Sequence, residues 1–133
     1  MTGFRYGFEK RLPGLSYEKA IEKTTEALAK EGFGVLMQID VKDTLKKKLN
    51  VDFRRYMILG ACNPPLAHQS LQAEPQLGLL LPCNVVVQEM APDDVVVSFI
   101  DPKALFTLVD KPEVAPVAQE VYDRLQKVAG HLG

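Results

Sequence analysis

The sequence predicts an α+β fold, a two-layer sandwich of two long helices on a mostly antiparallel sheet of about five strands. Three observations carry that prediction. Segments near 17–31 and 114–131 each show one apolar stripe at helical spacing, as expected of helices with one face against a sheet. The alternating, strand-like runs crowd together between them, which favours antiparallel pairing over a regular βαβ alternation. The 133 residues are 47% apolar and 25% charged, enough for one core and an ordinary surface. No repeat, low-complexity tract or linker interrupts 1–133, which is therefore read as one domain.

Phe4 to Arg11 alternates, with Phe4, Tyr6 and Phe8 on one side and Arg5, Glu9 and Arg11 on the other, predicting a half-buried strand. Pro13-Gly14 ends it, and Ser16 is a good N-cap for a helix over 17–31 bearing Tyr17, Ala20, Ile21, Thr24, Ala27 and Leu28. Gly32 follows where a left-handed cap is wanted. A second strand places Phe33, Val35, Met37 and Ile39 inward, and a short basic helix or turn covers Lys42 to Leu49. Strand three, about 53–62, becomes apolar in both phases, as for a central strand covered on both faces. Asn63-Pro64 then caps a short helix over 64–73.

Leu79 to Glu89 reads as strand four, with Pro82 implying an edge or bulge. Ala91-Pro92-Asp93-Asp94 is turn chemistry joining it to strand five, Val95 to Ile100. Asp101-Pro102 starts a short helix through about Leu108. The final helix, about 114–131, carries Val114, Val117, Ala118, Val121, Leu125, Val128 and Leu132 on one stripe, with Pro116 in its first turn.

Composition narrows the function classes. The formal net charge is -1, so no global field recruits nucleic acid or an anionic membrane. The N-terminus lacks a secretory pattern and no run approaches a bilayer span, which predicts a soluble, cytoplasmic protein with both thiols reduced. Residues 42–55 hold six cations against two carboxylates. Without interleaved aromatics this is a solvated face rather than a nucleic-acid surface. Asp93 and Asp94 belong to hairpin chemistry rather than to an acid–base pair. No phosphate-cradling glycine pattern, GxSxG or HExxH occurs.

Strands four and five are apolar in both phases: Val85 and Val87 against Val86, and Val95, Val97 and Phe99 against Val96 and Ile100. If the long helices cover one face, another surface must cover the second, and a two-fold homodimer does so with least. The alternative is that the short helices fold over that face.

Two Cys-Asn pairs mark a candidate site comprising Cys62, Asn63, His68, Cys83 and Asn84. Antiparallel strands three and four would bring Cys62 and Cys83 to one end of the sheet. Cys62 precedes a helix N-terminus, which favours a thiolate. Three readings follow. Cys62 and Cys83 form a thiol redox pair; Cys62, His68 and Cys83 bind a soft metal such as zinc or copper(I); or both cysteines are buried small hydrophobes. Two scattered cysteines without a CxxC spacing favour the last.

The stretches Gly60-Ala61-Cys62-Asn63-Pro64-Pro65-Leu66-Ala67-His68 and Gly78-Leu79-Leu80-Leu81-Pro82-Cys83-Asn84-Val85-Val86-Val87 give the chain a resemblance over essentially its whole length. It resembles domain-of-unknown-function family 302. The resemblance implies a β-α-β4-α arrangement like that of the TATA-box-binding protein, and a homodimer. It implies no catalytic residue, and likeness to the fold of a DNA binder does not transfer DNA binding. The function expected is a small homodimeric binding or regulatory module with a small-ligand site near the Cys-Asn pairs, the alternative being a thiol-redox or soft-metal protein.

Overall fold

The computed structural model describes residues 2–133, in which one six-stranded sheet carries its long helices on one face. The strands are β1 (Thr2–Phe4), β2 (Gly7–Pro13), β3 (Gly34–Asp40), β4 (Tyr56–Cys62), β5 (Cys83–Ala91) and β6 (Asp94–Ile100), in the order β1-β2-β6-β5-β4-β3. Every neighbouring pair is antiparallel. The helices are α1 (Tyr17–Lys30), α2 (Val41–Leu49), α3 (Pro64–Ala73), α4 (Pro102–Phe106) and α5 (Ala115–His131), with 3-10 turns at Pro75–Leu80 and Pro112–Val114.

The expected first strand is two strands, which accounts for a sixth strand where about five were expected. The chain reverses at Arg5 and Tyr6, and Phe4 pairs with Gly7. Phe4 and Tyr6 are consequently exposed, at 42% and 63%, rather than buried with Phe8. The next expectation also needs correction. Phe33 and Val35 point inward, but a bulge between Val35 and Met37 shifts the phase, leaving Met37 and Ile39 exposed on an edge strand. Strand three lies one place in from that edge and is covered on one face only. Pro82 lies in neither an edge strand nor a bulge: the Leu81–Pro82 peptide is cis, and β5 begins after it as an interior strand.

The core lies between the sheet and helices α1 and α5. Phe8 and Leu12 of β2, Val95, Val97 and Phe99 of β6, Val85 and Val87 of β5, and Leu59 and Ala61 of β4 form its floor. Ala20, Ala27 and Leu28 of α1 and Val117, Val121, Leu125 and Val128 of α5 cover it. Phe8 stacks on Phe99 at 5.1 Å between ring centroids and meets Tyr122 edge-on at 5.8 Å. The stripe read for the last helix is buried throughout, from Val114 to Leu132. A smaller cluster of Leu77, Phe106, Val114 and Ala118 joins the short helical segments to α5. The short helices thus extend the helical layer and leave the second sheet face open.

The expected caps form. Ser16 Oγ accepts from Lys19 N at 3.2 Å at the start of α1. At its end, Gly32 N donates to Ala29 O and Phe33 N to Leu28 O, the paired bonds of a Schellman motif, with Gly32 at φ 84°. Asn63 and Asp101 cap α3 and α4, accepting from Leu66 N at 3.3 Å and Lys103 N at 2.9 Å. Asp93, at φ 56°, closes the hairpin between β5 and β6.

Candidate functional site

The strand ends deliver part of the expected constellation to one corner. Cys62, Asn63 and Cys83 line a pocket with Leu66, Pro82 and Phe106. Its volume is only about 30 Å³, room for a water or two and no larger ligand. Cys83 is registered opposite Ala61, one residue short of Cys62, so the pairing does not set the two cysteines directly across from each other. Both thiols are free. Burial, followed by the neighbouring Cys62, pushes the Cys83 thiol up from 9.0 to about 11. At neutral pH Cys83 is therefore a protonated, weakly nucleophilic group.

Asn63 is buried and fully engaged. Its side-chain oxygen caps α3, while Nδ2 reaches Glu31 O at 3.5 Å. Arg124 from α5 donates to the same carbonyl at 3.0 Å. This carbonyl at the end of α1 thereby ties α1, α3 and α5 together. Gly32 makes the meeting possible, since a Cβ there would lie 3.0 Å from Asn63 Nδ2 and 3.2 Å from an Arg124 nitrogen. Both ends of the Asn63 amide are thus held by backbone groups.

The remaining two residues lie elsewhere. His68 is exposed on α3 and does not line the cysteine pocket. Asn84 is exposed in β5, opposite Gly60, and borders a shallow 120 Å³ depression with Phe4, Tyr6 and Val86. Among the described residues no group of three or more His, Cys, Asp or Glu side chains is arranged to hold a metal ion, so Cys62, His68 and Cys83 do not converge as a ligand set. Half of the six cations at 42–55 are paired: Lys46 with Asp52, Lys47 with Asp43, and Arg55 with Glu18.

The surface that stands out is the open sheet face. The strand register assigns to it Tyr56, Ile58 and Gly60 of β4, Asn84, Val86 and Gln88 of β5, and Val96, Ser98 and Ile100 of β6. None of these nine is charged. Phe4 borders its β2 side, and Met37 and Ile39 border the other. The face mixes polar Tyr56, Asn84, Gln88 and Ser98 with apolar Ile58, Val86, Val96 and Ile100, where a face meant only for water would be polar throughout. Glu9 and Arg11 of β2 flank it opposite Ser98 and Val96. The sequence signalled it through the two-phase valines, but the contribution of Phe4 was hidden by the unrecognised reversal at Arg5-Tyr6.

An antiparallel sheet with its long helices on one face and a second face uncharged across β4, β5 and β6 defines an α+β module of the helix-on-sheet class. A profile described as "Domain of unknown function DUF302" matches residues 8–132, and the chain belongs to that family. The crystal structure of an uncharacterized conserved DUF302 protein from Bacillus stearothermophilus is similar over 96% of this chain and 98% of that one, with a TM-score of 0.87 and 27% identity. Comparison with curated proteins gave no match. No helix among the described residues is long and apolar enough to cross a membrane.

Proposed function

We propose that the chain is a small homodimeric binding module whose two copies pair through the open sheet face. The observation that carries this reading is the uncharged strip across β4, β5 and β6, bordered by exposed Phe4, Met37 and Ile39. Ile58, Val86 and Ile100 remain only half-buried on this face, and a two-fold contact would bury the same side chains on both copies. Glu9 and Arg11 of β2, opposite Ser98 and Val96, and Asp94, which pairs with Arg11 at 3.1 Å, flank the strip as a polar rim would.

The test is the solution mass by light scattering or sedimentation. The wild-type chain should run as a dimer at micromolar concentration, and Val86→Asp as a folded monomer, because a carboxylate would be buried in an uncharged contact. A wild-type chain that stays monomeric at high micromolar concentration refutes the reading. The redox and metal alternatives draw less support from the same coordinates. Cys83 is held protonated, the cysteine pocket is nearly filled, and exposed His68 does not line it.

A further inference from the structure

A second surface lies in the helical layer, where residues 109–111 run as a strap between two grooves. One groove, of about 430 Å³, lies between α4 and the start of α5, and Lys103 and Lys111 line it. The other, of about 400 Å³, lies against the 3-10 turn at Pro75–Leu80 and is lined by Leu77, Leu79, Leu80, Leu108 and Val109, with Glu74 and Gln76 at its edge. Val109, Asp110 and Lys111 line both grooves, so the two meet at the strap. Each is within the size range of small-molecule sites.

The two ends differ in chemistry. Among the described residues neither Lys103 nor Lys111 has a carboxylate partner, and Lys103 Nζ is held 3.7 Å from the centre of the Tyr122 ring. Asp110 is the one carboxylate lining that end, so cations exceed anions there. The other end is mainly aliphatic, with Glu74 and Gln76 as its further polar side chains, and it includes the two most exposed large apolar side chains of the described residues, Leu79 at 82% and Leu108 at 77%. Two cations without carboxylate partners, in a groove that adjoins the exposed leucines across the strap, complement a ligand that is anionic at one end and aliphatic along the rest.

We propose that the two grooves together bind one carboxylate-headed acyl chain, its head between Lys103 and Lys111 and its tail across the strap against Leu79 and Leu108. This site lies in the helical layer, away from the open sheet face, and does not depend on the dimer reading.

Titration calorimetry with straight-chain carboxylates from octanoate to dodecanoate, below their micelle concentrations, tests it. One molecule should bind per chain, with affinity rising up to roughly fourfold per buried methylene. Dodecyltrimethylammonium should bind at least tenfold more weakly than dodecanoate. Lys103→Gln with Lys111→Gln should weaken carboxylate binding at least tenfold, and Leu108→Asn should flatten the dependence on chain length. These side chains lie at the surface, and circular dichroism checks that each variant folds. Binding should persist in the Val86→Asp variant, which separates this site from the dimer contact. Absence of dodecanoate binding, equal binding of the cationic amphiphile, or a change of oligomeric mass on Leu79→Asn and Leu108→Asn without any ligand binding overturns the proposal.

Discussion

At the residue scale, the informative side chains are those whose surroundings differ from water. Cys83 and Tyr17 are neutral acids held protonated, Cys83 up at about 11 and Tyr17 at about 12, chiefly by burial, with nearby Asp40 the next contribution for Tyr17. For both, the folded state holds the proton more tightly than the unfolded chain does. Stability is therefore fully present below about pH 9 and falls as pH rises, first between 9 and 11 through Cys83 and then towards 12 through Tyr17. Urea denaturation against pH should show this alkaline loss, with the Cys83 part of order 2 kcal/mol. Cys83→Ala should remove the earlier phase, and an unchanged profile would contradict the assignment. Native Cys83 should also resist iodoacetamide at pH 8 and react once unfolded. Gly32 is informative for the opposite reason, the lack of a side chain. Gly32→Ala places a Cβ at positive φ and against the Asn63 amide, and should cost roughly 1–3 kcal/mol by denaturant titration. A cost below about 0.5 kcal/mol would show that the junction relaxes freely.

At the element scale, α5 is the principal cover of the core. Leu125 is wholly buried among β-sheet and α1 side chains, so Leu125→Ala should destabilise by about 2–5 kcal/mol. Leu79→Ala, on an exposed side chain of the 3-10 turn, should change stability by no more than about 0.5 kcal/mol. Equal effects would mean that the helical layer does not carry the core. Long, periodic elements were legible because a stripe over four or five turns has one physical solution. The caps at Ser16, Asn63 and Asp101 were legible because short polar side chains before a helix satisfy its free N–H groups. The strand phases after Met37 and before Gly7 were not, because a bulge or a two-residue reversal changes which face a side chain meets without altering composition.

At the scale of the whole molecule, the open face predicts linkage between assembly and stability. The wild-type melting temperature should rise with protein concentration, since pairing stabilises the folded chain by mass action, and Val86→Asp should show no such dependence. A concentration-independent wild type over a hundredfold range would argue against pairing. The fold shared with the Bacillus stearothermophilus protein at 27% identity fits this division of labour. A core of interchangeable aliphatic residues tolerates substitution while the layer architecture persists.

The chain's own pattern determined that two amphipathic helices would roof an antiparallel sheet, and that some strands would be apolar on both sides, because both are consequences of local period and burial. Tertiary structure alone decided which phase faces the helices, that Cys83 lies opposite Ala61, and that His68 falls outside the cysteine pocket. Those outcomes depend on strand register, bulges and turns, where a shift of one residue reverses a side chain's direction at little cost to the local pattern.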